Sequence, residues 1–464
     1  MIKFLPLGGA GEIGANCYYL NIAGTGIIID CGMHPQKTGR EALPDFRLIY
    51  QRDVDYVLIS HAHQDHLSGL PFLVQQHPYI RIITTPQTRA LAELTLHDAV
   101  SILSRQISED EMKIYSHQEI DLLIQSIEYR AIGEEFELKG YNHNDGDSIK
   151  VTFHDAGHIL GSASILIEHS GYKIFYSGDI NLKSQSWMQG AVLPKIKTGT
   201  LLLETTYGAT DSSTINSWTK ESERLAVEAN KIINQGGSIL IPVFSLGKMQ
   251  EMLKTIWQLM EKGKIARSDI YTGGISRKIS RAYDYNRFVV NPDDAEFELS
   301  EIPQQDLYEI EDPGVFFKHP CIVLASSGMM VEGTASYRLA QRWLKQDKSA
   351  IFTVGYMEKE TPGFVVSTAE RGMKIRLSKL SEESEVKCTI KRFRFSAHSL
   401  REDLLKVVEK LNPENVILIH GDPPAIDWVG ASILKRDKKR KVYAAETGKE
   451  INIIEESLSS NPLP

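Results

Sequence analysis

The chain has 464 residues, of which 42% are hydrophobic, 24% are charged and 8% are aromatic, and its formal net charge at pH 7 is −8. This composition is typical of a large globular protein and excludes disordered, collagen-like and coiled-coil proteins. The apolar runs are short, so neither a membrane helix nor a secretory signal is expected. A generic nucleic-acid coat protein would be basic, so any polyanion-binding surface must be local. The four scattered cysteines include no C-x-x-C pair, which favours a reducing, cytoplasmic location.

Short apolar runs predict strands in the first part of the chain. These strands are FLPL, CYYLNI, GIIID, YVLIS, RIITT, SIKVTFHDA, SASILIEH and YKIFYSG, with a helix at about 88–106. From about residue 214, helices and strands alternate as in a parallel α/β unit, in the order helix 214–234, strand SILIPVF, helix 247–262 and strands DIYTGG and PCIVLAS. The last third returns to strands KCTIKRFRF, NVILIH and KVYAA, with helices at 399–411 and about 424–436. An α/β chain with a second α/β unit inserted after residue 208 is therefore predicted.

A glycine pattern near the N-terminus imitates a dinucleotide-binding motif. Gly9, Gly11 and Gly14 form G-x-G-x-x-G after an apolar strand, and Asp30 follows. A dinucleotide site requires a helix to begin at the third glycine. Here ANCYYLNI and GTGIIID follow without helical periodicity, which predicts a glycine-rich turn and a β-hairpin.

The densest chemical signal is ISHAHQDHLSG, directly after the apolar strand YVLIS. His61, His63, Asp65 and His66 lie within six residues of one another. A strand end followed by a loop can turn these side chains towards one point, and neutral imidazoles with a carboxylate suit zinc. Isolated histidines are interpreted instead as ordinary surface or core residues. This applies to His34, His77, His97, His117, His143, His154, His169 and His319.

Further residues able to bind a metal stand at the ends of other apolar strands, close to glycine or another small residue. They are Asp30, His158, Asp179, Glu204, His398 and His420. Small neighbours permit close backbone approach, and strand ends hold side chains rigidly. Each residue alone could be a turn acid or a buried histidine, but as a set they favour a metal site.

These motifs resemble those of a known family. HxHxDH, the later His158 and the Asp179 of SGD are similar in order and spacing to the metallo-β-lactamase superfamily. LLLETTYG, IPVFSLGKMQE, SSGMMVEGTASY, FSAH and ILIHGD resemble the β-CASP nucleases, the branch of ribonuclease J and cleavage-factor-like enzymes. The resemblance implies an α/β fold in which residues 1–208 and 386–464 form an αββα metallo-β-lactamase sandwich. Residues 209–385 would form an inserted α/β β-CASP cap domain.

The resemblance also implies two zinc ions per chain and the residues around them. One ion would be bound by His61, His63 and His158. The other would be bound by Asp65, His66 and His420. Asp179 would bridge the two ions, and Asp30 would orient their ligands. Glu204 and His398 would be the β-CASP acid and histidine beside the metals.

Phosphodiester hydrolysis needs a nucleophile, charge neutralisation and a protonated leaving group, and two metals can supply the first two. Asp65 could also orient the proton of the nucleophile. His398 paired with Glu204 fits a general acid, because a carboxylate raises the pKa of an imidazole and fixes its orientation. In-line attack would leave a 5′-phosphate and a 3′-hydroxyl.

RNA is favoured over DNA, because the DNA-processing β-CASP branch tends to have a small apolar residue where this chain has His420. The residues that could hold phosphates are Ser245, Lys248, Ser326, Ser327 and Thr361. Hydroxyls near a helix start suit anion binding, but they suit turn and cap chemistry equally well. Lys248 stands where relatives often carry arginine, and E-T-P-G-F at 360–364 stands where they read GTxGR. The basic run at 435–441 is interpreted as a solvated helix end, with an RNA-backbone patch as the alternative.

Together these features predict a cytoplasmic zinc-dependent ribonuclease that acts on single-stranded RNA in RNA processing or decay and has no membrane partner. Endonuclease or 5′-exonuclease action stays open, as does assembly into a homodimer or an RNA-processing complex. The alternatives are a DNA nuclease of the same fold, a small-ester or thioester metallo-hydrolase, and a non-catalytic RNA-binding partner. The inserted domain, Glu204 and His398 argue against a small-molecule hydrolase.

Overall fold

A computed structural model describes residues 2–106, 115–142, 148–379 and 381–454 of the chain. The chain divides into two compact units. The first unit comprises Met1–Leu182, Ala191–Ser212 and His398–Pro464, and the second comprises Lys183–Gly190 and Ser213–Ala397. No helix of the described segments is long and apolar enough to cross a membrane.

The first unit contains two seven-stranded sheets. The strands of the first sheet, in spatial order, are Ile451–Ile454, Ile2–Gly8, Cys17–Ile22, Thr25–Ile29, Tyr56–Leu58, Arg81–Thr84 and Ile127–Tyr129. Those of the second sheet are Lys441–Ala444, Asn415–Ile419, Thr200–Glu204, Tyr172–Tyr176, Ala163–His169, Ile149–Asp155 and Glu135–Leu138. The N-terminal segment and the C-terminal segment of this unit therefore each contribute strands to both sheets.

The main core of the first unit combines apolar side chains from both sheets. Phe4 and Leu20 of the first sheet belong to one buried cluster with Phe153, Ile165 and Ile417 of the second sheet. Strand side chains alternate between the two faces of a sheet, so each sheet can bury one face against the other. The predicted hairpin after the glycine motif is confirmed, because strands 17–22 and 25–29 pair in antiparallel register.

The helices of the first unit flank this pair of sheets. They are Gln64–Leu67, Leu70–Gln76, Pro86–Gln106, His117–Ser126, Arg401–Leu411 and Pro423–Arg436, with 3-10 turns at Gly39–Ala42 and Phe46–Ile49. A further 3-10 turn, Ser212–Thr214, begins at the last residue of the segment Ala191–Ser212 and continues into the second unit. Leu404 and Val408 of one helix and Val429 of another pack with Leu201 and Leu418 on the other face of the second sheet. The predicted αββα sandwich with its α/β class is confirmed.

The second unit is built on a six-stranded sheet in which all pairs are parallel. Its strands, in spatial order, are Gln305–Asp306, Asp269–Thr272, Cys321–Ala325, Ile239–Pro242, Ala350–Val354 and Thr389–Phe393. Its helices are Trp218–Asn234, Lys248–Glu261, Ile275–Tyr285, Arg287–Val290, Ala335–Trp343 and Pro362–Thr368. Shorter elements are the 3-10 turns Pro292–Asp294, Leu299–Glu301, Leu307–Glu309 and Pro313–Phe317, and the paired strands Lys374–Ile375 and Ser384–Glu385. Parallel strands need crossover connections, which these helices provide.

The bounds of the two units differ from the predicted domains 1–208, 209–385 and 386–464. Strand Thr389–Phe393 pairs with Ala350–Val354, so the second unit continues to Ala397. The segment Lys183–Gly190 also belongs to the second unit. Neither feature has a local signal, because both depend on pairing with residues distant in sequence.

Candidate metal centre

One cluster in the first unit consists of three histidines and an aspartate. His61 follows strand Tyr56–Leu58 and is fully buried, and its Nε2 lies 3.2 Å from Nδ1 of His63. Nε2 of His158 lies 3.1 Å from the same His63 nitrogen. One ring nitrogen from each of the three histidines and one carboxylate oxygen of Asp179 form a group of four atoms that all lie within 4.8 Å of one another. These four residues are thus close enough to share one metal ion.

A second cluster consists of Asp65, His66 and His420. The first two residues lie in the short helix Gln64–Leu67, and His420 follows strand Asn415–Ile419. Oδ2 of Asp65 lies 3.7 Å from Nε2 of His66 and 3.4 Å from Nε2 of His420. His420 has a φ of +46°, a conformation uncommon outside glycine that often marks functional sites.

Asp179 faces both clusters with one carboxylate. Its Oδ2 lies 3.5 Å from Nε2 of His61 and 3.6 Å from Nε2 of His158. Its Oδ1 lies 3.4 Å from Nε2 of His66 and 2.8 Å from Nδ1 of His420. The geometry thus offers one oxygen of Asp179 to each cluster.

Asp30 lies behind the histidines and is fully buried, with a φ of +57°. Its Oδ2 is 2.8 Å from Nδ1 of His66 and accepts hydrogen bonds from the hydroxyls of Ser60 and Tyr176, while its Oδ1 accepts from the Ser60 N–H. Ser60 Oγ also lies 3.0 Å from Nδ1 of His61. If both histidines carry their proton on Nδ1, as these acceptors favour, Nε2 of each is available to a metal.

The charges of the clusters are suited to metal cations. Burial lowers the pKa of His61 and neighbouring His66 lowers it further, which keeps this imidazole neutral, as a metal ligand must be. Burial alone would raise the pKa of Asp179, but His420 and His66 outweigh it and hold that pKa well below its usual range. Burial alone would likewise lower the pKa of His420, but the Asp179 and Asp65 carboxylates raise it well above its usual value, so a metal ion that binds there would have to displace the proton that these carboxylates favour.

The residues present also fit the donor chemistry of zinc. In the described segments, the ion pairs of Asp65 and Asp179 are all with histidines, so no lysine or arginine neutralises these two carboxylates there. Nε2 of His420 is buried without a hydrogen-bond partner among the described residues. Imidazole nitrogens and carboxylate oxygens are the ligands that zinc prefers.

Glu204 and His398 form a pair next to the first cluster. Nδ1 of His398 lies 3.2 Å from Oε1 of Glu204, and the His398 and His158 ring centroids are 4.5 Å apart. Burial alone would lower the pKa of His398, but the carboxylates of Glu204 and Asp179 outweigh it and raise that pKa. Glu204 is held in turn by the N–H groups of Ile180 and Thr206 at 3.2 and 2.9 Å.

Several residues of the site escape sequence reasoning. The Asn16 side-chain amide lies 3.0 Å from Nε2 of His66 and donates to the Asp65 carbonyl at 3.1 Å. The Tyr18 hydroxyl donates to Oδ1 of Asn16 and to the carbonyl of Gly9. A Cβ at Gly9 would lie 2.4 Å from Asn16 Oδ1 and 2.5 Å from the Tyr18 hydroxyl. The first glycine of the motif therefore serves close packing here, a requirement that only the tertiary contacts reveal.

The residues predicted to hold phosphates lie in the second unit, in the segments that follow the adjacent strands Ile239–Pro242, Cys321–Ala325 and Ala350–Val354, and Lys248 is the first residue of a helix there. Carboxyl ends of adjacent parallel strands form one edge of a sheet, a common place for ligands. Ser245 and Ser326 are half-buried there. The predicted residues are therefore gathered in one region of the second unit.

Three of these residues make contacts of their own. Thr361 caps helix Pro362–Thr368, because its hydroxyl accepts from the Phe364 N–H at 3.2 Å. The Ser327 hydroxyl accepts from the Val331 N–H at 3.0 Å. Lys248 is buried, and its ammonium donates to the Phe395 carbonyl at 2.6 Å. Thr361 and Ser327 therefore serve as helix-cap and turn residues, and the Lys248 ammonium is already bonded to a backbone carbonyl.

The histidines interpreted as isolated stand outside both clusters wherever the structure describes them. His97 and His117 contact each other through Nδ1 atoms 2.7 Å apart, and Nε2 of His97 lies 3.1 Å from Asp121. His143 lies outside the described residues.

Comparison with known proteins identifies three family regions. Residues 10–218 match the metallo-beta-lactamase superfamily, residues 249–364 match the Beta-Casp domain, and residues 383–445 match the Zn-dependent metallo-hydrolase RNA specificity domain. An RNase J-like protein of Methanocaldococcus jannaschii is 30% identical, over 89% of this chain and 91% of its own length. Cleavage and polyadenylation specificity factor subunit 3 of Dictyostelium discoideum is 26% identical, over 97% of this chain and 57% of its own length. The chain thus spans somewhat over half the length of that relative.

A solved structure, the crystal structure of a protein of unknown function from Enterococcus faecalis V583, has the same fold. Its TM-score is 0.54 at 14% identity, and the match covers 97% of this chain and 99% of that one. Fold, clusters and matched regions define a member of the metallo-β-lactamase superfamily. Within that superfamily, the chain belongs to the β-CASP family.

Proposed function

We propose that this chain is a zinc-dependent ribonuclease that hydrolyses phosphodiester bonds of single-stranded RNA with two zinc ions. The observation that carries the proposal is Asp179, whose two carboxylate oxygens face different clusters of metal-binding side chains. Paired metal sites that share a carboxylate suit the in-line displacement at a phosphate.

His61, His63 and His158 would hold one ion. Asp65, His66 and His420 would hold the other, and Asp179 would bind both. When bound, the two ions would lower the pKa of water and neutralise the charge on the phosphate. Asp30 would keep His66 aligned through its 2.8 Å contact with Nδ1, and would keep His61 aligned through Ser60.

His398 would supply the proton that the departing 3′ oxygen needs. The Glu204 carboxylate orients its Nδ1 and raises its pKa, so the ring can carry a proton on Nε2 and release it in the transition state. The imidazole is partly exposed, with 17% of its side chain accessible, so a bound substrate could reach it. The products would be a 5′-phosphate and a 3′-hydroxyl.

RNA is the proposed substrate for two reasons. The region at 383–445 matches a domain described by its RNA specificity, and several relatives are named for RNA cleavage, including an Endoribonuclease YSH1 of Saccharomyces cerevisiae. His420 is also present where DNA-processing members tend to have a small apolar residue. Ser245 and Ser326 are the proposed phosphate contacts in the second unit.

The test combines metal analysis with cleavage of end-labelled RNA. Protein purified with Zn²⁺ is expected to hold two ions and to cleave single-stranded RNA, and His63→Ala is expected to lose both zinc and activity. RNA labelled at either end and carrying a 5′-hydroxyl, monophosphate or triphosphate distinguishes internal cleavage from exonuclease action. Zinc-loaded protein that hydrolyses a thioester or DNA but not RNA would refute the proposal.

A further inference from the structure

The helix Lys248–Glu261 of the second unit begins with two buried charged residues that hold other chain segments. The Lys248 ammonium donates to the Phe395 carbonyl at 2.6 Å. One oxygen of Glu251 accepts from the Trp187 N–H at 2.8 Å, and the other accepts from the Met188 N–H at 2.9 Å. The first turn of this helix therefore holds the backbone at two places distant in sequence.

Lys248 is enclosed by aromatic rings as well as by the carbonyl. Its ammonium lies 5.1 Å from the centroid of the Trp218 ring, and the Trp218 and Phe395 rings are 4.8 Å apart. Only 7% of Lys248 is exposed. Burying an ammonium group costs free energy unless the group forms hydrogen bonds, and the Phe395 carbonyl provides such a bond for Lys248.

The chain runs from that partner directly to the proposed general acid. Phe395 is followed by Ser396, Ala397 and His398. On the other side of the imidazole, the Ser399 N–H donates to the Ile180 carbonyl at 2.7 Å. The backbone is thus fixed three residues before His398 and one residue after it.

We propose that Lys248 is a positioning residue for His398, because it fixes the backbone segment that sets where the imidazole stands. This inference rests on the proposed function, in which His398 protonates the leaving oxygen. Misplacing a catalytic group by about 1 Å can cost about 100-fold in rate. Lys248 never touches the substrate in this role, so its effect must pass through His398.

The test variant is Lys248→Met, which keeps an apolar stem of similar length and removes the donor. Lys248→Arg restores a cationic donor and should recover the rate. Lys254→Met is the matched control, because Lys254 is a fully buried lysine of the same helix. The ammonium of Lys254 pairs with Asp294 and lies 4.9 and 4.4 Å from the ring centroids of Trp187 and Phe297. If Lys248→Met does not fold, Lys248→Gln replaces it.

Each variant is made in the wild type and in the His398→Ala background, and two substrates are compared at single turnover. RNA needs a proton donor for its leaving oxygen, whereas bis(4-nitrophenyl) phosphate releases a stable phenolate without one. Lys248→Met is expected to slow RNA cleavage about tenfold or more and to leave zinc content and bis(4-nitrophenyl) phosphate hydrolysis within about twofold. In the His398→Ala background the same change should alter RNA cleavage by less than about twofold.

A readout without RNA separates this inference from the proposed function. The side-chain NMR signal of His398 is expected to shift in Lys248→Met towards its position in Glu204→Gln, and to stay unchanged in Lys254→Met. Wild-type protein that hydrolyses bis(4-nitrophenyl) phosphate but not RNA would refute the proposed function. The NMR comparison would still decide whether Lys248 positions His398. An unshifted His398 signal overturns the positioning role. The positioning role is also overturned if Lys248→Met slows RNA cleavage equally in the wild type and in the His398→Ala background, or if it slows both substrates equally. It is likewise overturned if Lys254→Met slows RNA cleavage as much as Lys248→Met does.

Discussion

His398→Ala should separate metal binding from chemistry. The imidazole belongs to neither cluster of metal-binding atoms, so both zinc ions are expected to stay bound. Its removal also leaves Glu204 hydrogen-bonded, because the N–H groups of Ile180 and Thr206 still reach one oxygen each at 3.2 and 2.9 Å. No buried carboxylate oxygen is orphaned, so the fold should persist.

The size of the effect follows from the role of a proton donor. Nδ1 of His398 lies 3.2 Å from a Glu204 oxygen, and the carboxylate raises the pKa of the imidazole, which favours its protonated, proton-donating form. General acid catalysis typically contributes about 10²- to 10⁴-fold. His398→Ala should therefore raise the barrier by about 3 to 5.5 kcal/mol, at about 1.4 kcal/mol for each tenfold change in rate.

The assay is single-turnover cleavage at saturating RNA, together with zinc analysis and RNA affinity. A substrate with sulfur in place of the 3′ bridging oxygen should recover part of the lost rate, because a thiolate leaves without protonation. Wild-type protein on both substrates is the control. Loss of zinc would make His398 a ligand. Full zinc content without rescue by sulfur would mean that His398 acts by electrostatics, and the reasoning would fail.

Asp179→Asn is expected to lower zinc binding at both clusters and abolish hydrolysis, and a full zinc complement with a normal rate would contradict the bridging role. Chelation is expected to lower the melting temperature, because a metal that binds only the folded state stabilises it; an unchanged melting curve would count against resident metal. Lys438, Lys439 and Lys441 changed together to Ala should leave the salt dependence of RNA affinity unchanged, because these exposed lysines follow the end of helix Pro423–Arg436 and are interpreted as solvated; a slope smaller by about 0.7 for each lysine would instead indicate phosphate contacts. Burial lowers the pKa of Lys248 from 10.5 to about 8, so between these pH values the unfolded chain binds a proton that the folded chain lacks. Urea unfolding of the wild type relative to Lys248→Met should therefore show stability rising by up to about 1.4 kcal/mol per pH unit in that window, and parallel curves would refute the lowered pKa.

The sequence by itself determined the ligand-rich loop and the class of the fold. His61, His63, Asp65 and His66 are adjacent in the chain, so a strand end and one short helix suffice to bring them together. Strand and helix periodicity likewise depends on local residues, and it indicated both α/β units. Glu204 and His398 are far apart in the chain, and only their family motifs linked them before the structure brought them to 3.2 Å.

Only the tertiary structure decided which oxygen of Asp179 faces which cluster and how His420 completes the second one, because those contacts join residues that are far apart in the chain. It also brought in Asn16, which has no motif and contacts His66 through the fold. Lys248 is the clearest case. A lysine at the start of a helix is equally suited to a phosphate or to a buried carbonyl, and only the packing of Trp218 and Phe395 around it selects the carbonyl. Side-chain direction and burial depend on distant neighbours, and no local pattern of residues encodes them.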